Sequence, residues 1–364
     1  MLAIRSQLPG WVAPGGFFTV SGFTHSHALV VLRARDRRIA VVRSGRFGYF
    51  SFSMRAPRTG RYRLTVRAGG AVEPVGMLTV RPVELAAVGD VTPGEQVGPT
   101  ILSTGAAYPW GSVGALLRRA DVTTANLEGA VSSAGVPVPA KEFHFEGPAA
   151  LLSGARMYAG LDLVTLANNH SLDYGAVGLR ATLVAARAAG IATVGADMTI
   201  EAARRPAFIR AGGLTIAFLG YSDVNPYGFV ATAGGPGTAR ADSSAISDDV
   251  RAARRKADLV VCWFHWGSEG QPLPDRRQQL FAAAALNAGA TLVLGAHPHV
   301  LGPVVRPTRT SLVAWTLGNF VFPAGSPATS RTAILLVALT SQGVSGFRLV
   351  PAVSGVRPIL AESR

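Results

Sequence analysis

The stretch Ala290–Val300, ATLVLGAHPHV, sets an apolar run against a turn that carries two of the chain's seven histidines. A short leucine- and valine-rich run bounded by glycine reads as a buried strand. Gly295 and Pro298 punctuate it, and His297 and His299 stand at i and i+2 on the turn. Two imidazoles so placed can both point into a cleft, and neutral imidazole is the commonest protein ligand of transition metals. A lone histidine at a strand end is usually structural, so a metal site needs ligands from elsewhere in the chain.

Outward from this stretch, the chain from Glu84 onward alternates apolar strands with amphipathic helices. Leu85–Val88, Val122–Ala125, Leu163–Ala167, Leu259–Phe264 and Thr291–Leu294 read as strands. Gly111–Arg119, Gly147–Ala159, Tyr174–Ala189, Ser244–Lys256 and Pro274–Ala288 read as helices. A hairpin-like segment, Pro206–Gly220, and late strands at Ala333–Leu339 and Phe347–Pro351 complete a layered α/β pattern, with helices over a largely buried sheet. Polar residues collect where the apolar strands stop: Asp90; Asn126 and Glu128; Asn168, Asn169 and His170; His265; then His297 and His299. Ligands of open α/β sheets gather at the carboxyl ends of strands. Each residue alone has a structural alternative, such as a turn cap for Asp90 or a core role for His265. Together, carboxylate, amide and imidazole describe a divalent site for Mn, Fe or Zn.

Up to about Pro82 the pattern differs. Phe17–Ser21, Ala28–Leu32, Ile39–Val42, Phe47–Phe52, Tyr62–Val66 and Val75–Val80 are short alternating runs between turn signals, the pattern of a small antiparallel, Ig-like sandwich. The expected domains are residues 1–82 and 83–364. The first holds thirteen arginines and no lysine against Asp36 and Glu73, a net +11 out of the chain's +14. Such concentration suggests a polyanionic partner or an anionic surface, with compositional drift as the alternative. His25 and His27, without acids nearby, read as surface residues.

Composition excludes several classes. At 48% hydrophobic and 15% charged residues the chain is globular rather than disordered, and no run of eighteen apolar residues is present to span a membrane. The first ten residues carry one arginine and no continuous apolar stretch, so they do not read as a signal peptide. The compartment stays open: the cell envelope if a leader was removed, the cytoplasm otherwise. Cys262 is the only cysteine, which rules out an internal disulfide and a thiolate cluster; within an apolar run it reads as a buried, inert thiol. Aromatic RNA-binding motifs are missing from the basic segment, which argues against a nucleic-acid partner.

Gly89-Asp90, Asn126-Leu-Glu128, Ala167-Asn-Asn-His170 with Asp173-Tyr-Gly175, His265-Trp-Gly267, Gly295–His299 and Leu317-Gly-Asn-Phe320 resemble, in order, the sequence blocks of the CapA family. These are bacterial capsule-synthesis proteins associated with poly-γ-glutamate, and they share the calcineurin-like metallophosphoesterase fold. The resemblance runs from Val83 to Pro351 and leaves the basic sandwich outside it. It implies a four-layer α/β sandwich and one or two divalent ions. By that resemblance Asp90 and His299 serve one metal, Asn169, His265 and His297 the other, and Glu128 bridges them. His170 would stand over the substrate as proton donor or transition-state stabiliser. Two ions about 3.5–4 Å apart would orient a hydroxide and stabilise a developing oxyanion.

The sequence departs from the phosphoesterase pattern twice. Asp90-Val-Thr92 stands where the pattern has Asp-x-His, and the bridge is Glu rather than Asp. The second metal site, with Glu128, Asn169, His265 and His297, is therefore expected to bind more tightly. Around the ligands, Asp173 is expected to cap the following helix, with support of His170 as the alternative. Lys141 is a candidate anion contact. Glu269 is a candidate support or substrate-facing residue, and Asn126 and Asn168 are further strand-end amides of that kind. His144 stands at the cleft mouth or on a solvated face, and Asn319 is expected to fix His297 or His299. Two functions follow. One is a metal-dependent hydrolase or transferase acting on poly-γ-glutamate or another anionic envelope polymer. The other is a non-catalytic polyanion-binding factor of a capsule-synthesis membrane complex. Fold alone does not choose between them.

Overall fold

Strict alternation of buried and exposed side chains builds the N-terminal strands. In Phe17–Phe23, Phe18 and Val20 turn inward while Phe17, Thr19 and Phe23 stay exposed. That strand pairs antiparallel with Ala3–Ile4 on one side and Tyr49–Arg55 on the other. A second sheet runs in the order Arg37–Arg43, Leu29–Ala34, Gly60–Ala68, Ala71–Val80, antiparallel throughout. Phe18, Val20, Phe50 and Phe52 from the first sheet share one core with Val30, Leu32, Leu64, Val66 and Leu78 from the second. His25 and His27 are exposed, and His25 Nε2 lies 3.0 Å from the Met1 amino group.

The structure, a computed structural model, describes residues 1–35, 37–139 and 141–361. One compact unit comprises residues 1–83 with the short segments 210–214 and 339–342; the other described residues form the second unit.

Two sheets organise the second unit. The larger runs Ala192–Val194, Leu163–Thr165, Val122–Leu127, Val83–Val91, Arg331–Thr340, Gly343–Val353, Ile359–Leu360, with Asn319–Val321 also pairing to Val83–Val91. The first four strands of that order are parallel. The smaller runs Ala207–Ala211, Leu214–Ser222, Leu259–His265, Leu292–Ala296, Leu312–Ala314, Val304–Val305, and is parallel from Leu214–Ser222 to Leu312–Ala314. Leu259–His265 is buried at every residue, as a parallel strand covered on both faces must be. Val260, Cys262 and Phe264 meet Ile246, Val250 and Ala253 of helix Ser243–Arg254 and Phe281, Ala282 and Ala285 of helix Arg276–Ala288. On the opposite face of that strand, Trp263 donates through Nε1 to Thr124 of the larger sheet at 3.0 Å. The larger sheet is covered by another apolar cluster, in which Val97, Ile101, Leu151, Leu152 and Leu179 pack on Ala86, Val88, Ala125 and Val164.

Several elements differ from expectation. The helix expected over Gly111–Arg119 is a 3-10 turn, Tyr108–Trp110, and one helical turn, Gly114–Leu117. The segment Gly147–Ala159 becomes helical only at Ala150 and widens to a π-helical turn over Ala155–Ala159. Helix Val97–Thr104 has no counterpart among the expected elements, because Gly98 and Pro99 in its first turn read as loop. The strand expected to stop at Val88 continues to Val91, since Asn319–Val321 pairs beside it and sets Asn319 opposite Asp90.

That pairing needs Gly89. A Cβ there would lie 1.8 Å from the Gly318 carbonyl oxygen, which accepts the Asp90 N–H at 2.9 Å. Gly89→Ala should therefore cost about 1–3 kcal/mol in denaturant unfolding by forcing the two strands apart. Gly10→Ala, where a Cβ meets nothing within 4 Å, is the control and should change stability by less than about 0.5 kcal/mol.

Candidate metal centre

Both sheets of the second unit deliver polar side chains to one cleft. Asp90 lies near the end of its strand, directly opposite Asn126 on one side and Asn319 on the other. Glu128 follows Val122–Leu127, and Asn168, Asn169 and His170 form the turn after Leu163–Thr165. From the smaller sheet come His265, the last residue of its strand, and His297 and His299, just past Leu292–Ala296. His297 and His299 sit at φ 95° and 57°, in the left-handed region that side chains with a Cβ avoid, at about 1–3 kcal/mol each. The surrounding backbone holds them there. Pro298 accepts from the Gly270 N–H at 2.9 Å, and Gly295 accepts from the Leu317 N–H at 3.2 Å. A Cβ at Gly295 would lie 1.9 Å from the Trp315 carbonyl, so the loop can approach only as glycine.

Asp90, Asn126 and Glu128 are fully buried. The Asn126 amide nitrogen donates to Asp90 Oδ1 at 2.8 Å and lies 3.4 Å from Glu128 Oε2. Its oxygen accepts from Asn168 at 3.1 Å, and Asn168 also donates to the Leu127 carbonyl at 2.7 Å. The two strand-end amides thus brace the two carboxylates. Among the described residues, five buried side-chain polar atoms lack a hydrogen-bond partner, and three belong to this cleft: Asp90 Oδ2, Glu128 Oε1 and His297 Nδ1. Buried acceptors without partners are costly, and a cluster of them calls for a ligand.

The electrostatics agree. Burial, then the Asp90 charge, pushes the Glu128 carboxyl well above its ordinary range. Burial and neighbouring histidines hold His265 well below the usual imidazole value and His297 down at about 4, so both present neutral nitrogen. Burial opposes charge on His299 too, but the Glu128 and Asp90 charges, with Asn319 accepting a hydrogen bond from the ring, push it up to about 10. The cleft draws in positive charge.

Glu128 Oε1 lies 3.7 Å from His299 Nε2 and 3.8 Å from His265 Nε2. Two donor sets, Glu128 with His297 and His299, and Asp90 with Glu128 and His265, each hold their ligand atoms within 4.8 Å of one another. Asn169 Oδ1 stands 2.8 Å from His265 Nε2. Carboxylate, imidazole and amide donors with orphaned lone pairs fit a divalent cation. Glu128 is common to both sets.

Beside the ligands, His170 is locked in place. Asp173 accepts from His170 Nδ1 at 2.7 Å and from the Phe145 N–H at 2.8 Å, and forms a close ion pair with Lys141. The expected helix cap at Asp173 is therefore corrected: helix Gly175–Ala188 starts behind Tyr174 without a capping side chain, because three donors turn Asp173 inward. Lys141, expected as an anion contact, donates its ammonium to Asp173 and to the Asn169 carbonyl. Burial lowers its pKa against the pull of Asp173. Phe145 stacks on His170 at 4.2 Å between ring centroids, and His170 Nε2 stands 4.0 Å from Glu128 Oε1. Burial lowers the His170 pKa although Asp173 opposes it. The Lys141 ammonium also lies 2.9 Å from Nδ1, but it has acceptors in Asp173 and the Asn169 carbonyl; with Asp173 accepting at Nδ1, we assign the proton there, leaving Nε2 as the acceptor facing the cleft.

Asn319 accepts from His299 Nδ1 at 2.7 Å, so it fixes His299 rather than His297. Thr92 is fully buried, and its hydroxyl accepts from the Gly94 N–H at 3.1 Å. His144 is half-buried in a loop, its Nε2 lying 2.7 Å from the Val138 carbonyl. Glu269 is exposed and shares a cavity of about 560 Å³ with Glu95, His299, Asn319 and Phe322. Sequence reasoning missed Glu95, Phe145 and Phe322. Only Phe145, alternating with Phe143 beside Lys141, carried a signal.

The family described as bacterial capsule synthesis protein PGA_cap matches residues 84–324. The PGA biosynthesis protein CapA of Bacillus subtilis (strain 168) is 31% identical over 268 residues, 72% of this chain and 70% of that protein. The capsule biosynthesis protein CapA of Bacillus anthracis is 29% identical over 288 residues, 77% of this chain and 70% of that protein. Among solved structures, the 5'-nucleotidase precursor of Thermus thermophilus superimposes at a TM-score of 0.43 with 16% identity, over 76% of this chain and 54% of that one. A likeness that low is not informative about activity.

A cation held by these donors should raise the melting temperature of chelator-treated protein, since a ligand at 100 times its Kd stabilises by about 2.7 kcal/mol. Glu128→Gln should abolish that shift in scanning calorimetry with added Mn or Zn. Because burial and Asp90 disfavour the Glu128 charge, the chelated Glu128→Gln protein should itself melt no lower than chelated wild type. A cation-induced shift that survives Glu128→Gln would remove Glu128 from the ligand set.

Proposed function

The chain belongs to the bacterial capsule synthesis PGA_cap family, and we propose that it serves poly-γ-glutamate capsule synthesis as a divalent-metal-dependent hydrolase or transferase. The observation that carries this is the meeting of three orphaned, buried ligand atoms, Asp90 Oδ2, Glu128 Oε1 and His297 Nδ1, beside an oriented His170. Two sheets with helices packed on them, and ligands from the ends of several strands, support a four-layer metallophosphoesterase-like sandwich behind an Ig-like domain.

In this reading Glu128, Asn169, His265 and His297, with Asp90 and His299, hold one or two ions of Mn, Fe or Zn. When bound, the metal supplies Lewis acidity that activates water and stabilises an oxyanion. The chain's own residues do the rest. His170 would take up a proton at Nε2 from the attacking water and return it to the leaving group, while Asp173 accepts from Nδ1 and stabilises the intervening imidazolium. Lys141 keeps Asp173 turned inward, and Phe145 limits rotation of the ring. Asn319 sets His299, and Asn126 and Asn168 hold the carboxylates. The substrate class is an ester or amide of an anionic envelope polymer, with Glu269 at the cleft mouth.

One observation favours the second reading, a factor that holds polymer or a membrane-complex partner without turnover. Thr92 is buried and its hydroxyl is engaged by Gly94, so the end of strand Val83–Val91 offers the cleft no imidazole at that position.

Metal-loaded protein assayed against phosphomonoesters, phosphodiesters and γ-glutamyl amides should turn over at least one. His170→Ala should lower that rate by about 10²-fold or more while metal content stays unchanged. If wild type turns over none, and Thr92→His gains metal without gaining turnover, the holding reading replaces the catalytic one.

A further inference from the structure

Six of the thirteen arginines of residues 1–82 stand on one sheet face. Strand Gly60–Ala68 turns Leu64, Val66 and Ala68 into the core, so Arg61, Arg63, Thr65 and Arg67 point outward. The register carries that face sideways. Val31 stands opposite Arg67 and Arg33 opposite Thr65, while Arg38 stands opposite Arg33 and Arg43 opposite Leu29. A register shift after Leu32 makes this so: in unbroken pairing Ile39, not Arg38, would face Arg33. On the other flank Thr79, Met77 and Val72 stand opposite Arg61, Arg63 and Arg67, and Glu73 stands opposite the inward-facing Val66. Among the described residues of these four strands, the outward face thus holds Arg38, Arg43, Arg61, Arg63 and Arg67, beside Arg33, which has a contact of its own.

From this face we propose a docking surface for an extended polycarboxylate, poly-γ-glutamate. The inference rests on the capsule reading above for the identity of the polymer, and on charge complementarity for the site. Outward residues alternate along a strand every ~6.8 Å, and neighbouring strands lie about 4.8 Å apart. A γ-linked glutamate adds two methylenes to the ordinary peptide repeat, so its residues recur about every 6 Å when extended and the carboxylates on one side about every 12 Å, near the spacing of every second outward strand position. Guanidinium groups on long side chains can meet the carboxylates of the facing side in two-pronged contacts. The exposed Val41 and Met77 on the same face offer aliphatic contact to the methylenes between them. The face lies within residues 29–80, outside the matched family segment 84–324.

The test uses the full chain, metal-loaded, and measures poly-γ-glutamate binding at low salt and at about 0.15 M, where the Debye length falls to about 8 Å. The quadruple variant R38Q/R61Q/R63Q/R67Q should bind at least roughly tenfold more weakly, the sum of four exposed ion pairs. The matching Arg→Lys variant, which keeps the charge but not the two-pronged contact, should bind more weakly than wild type and more tightly than the Gln variant, and both variants should keep wild-type metal content and melting temperature. Added salt should weaken wild-type binding more than binding by the Gln variant. Equal affinity of the Gln variant and wild type overturns the proposal. So does a Gln variant that keeps polymer binding but loses binding to phosphatidylglycerol vesicles, which would make the face a membrane contact. His265→Ala/His297→Ala should lose metal and keep polymer binding. If it loses the polymer while the Gln variant keeps it, the polymer sits in the cleft, and the docking face fails while the capsule reading stands.

Discussion

Two carboxylates, Asp90 and Glu128, are buried at the ends of adjacent parallel strands, each with one oxygen that no protein donor meets. Removing two like charges from water is costly unless a counter-charge is supplied at close range. Much of the second unit is arranged to maintain that condition. Asn126 restrains one oxygen of Asp90, Asn168 restrains Asn126, and the close pass of Gly89 against Gly318 fixes where the strand carrying Asp90 runs. The smaller sheet brings His265, His297 and His299 to the same place. Two of these are held neutral by burial, and the third is made cationic by the carboxylates themselves. A site that lifts a histidine to about 10 is asking for a cation.

Around this centre lies a layer that does not touch the candidate ion. Lys141, Asp173 and Phe145 converge on His170 from two chain segments and fix both the tilt of its ring and the position of its proton. The arrangement places a proton acceptor 4.0 Å from Glu128. A purely structural histidine would not need an ion pair, a backbone donor and a stacked ring to set its orientation. The strained left-handed conformations of His297 and His299 belong to the same pattern, because local strain persists where surrounding contacts over-determine the backbone.

Much of this was legible in the sequence because it is local. The continuous apolar runs marked the buried strands, and the polar residues after them marked the cleft. The block order from Gly89 to Phe320 pointed to the family. What escaped was set by contacts distant in sequence. Asp173 sits in front of a helix, where an acid ordinarily caps; only Lys141, thirty-two residues earlier, and the Phe145 amide explain why it turns inward. Lys141 looked like a free cation for the same reason. Helix Val97–Thr104 was hidden by Gly98 and Pro99, and Glu95 gave no signal because nothing in its neighbourhood has a period. The basic charge of the first eighty residues was plain from composition, but that six of those arginines share one sheet face, Arg38 among them through the register shift after Leu32, only pairing reveals.

Crystallography of the full chain grown with Mn or Zn, with data collected at the metal's absorption edge, tests the central claim most directly. A cation bound by the buried carboxylates requires an anomalous peak at about 2.0–2.2 Å from Glu128 Oε1, with His265 or His297 nitrogen as a further ligand. Anomalous density only at surface sites, with Asp90 Oδ2, Glu128 Oε1 and His297 Nδ1 satisfied by protein or water hydrogen bonds, would contradict it.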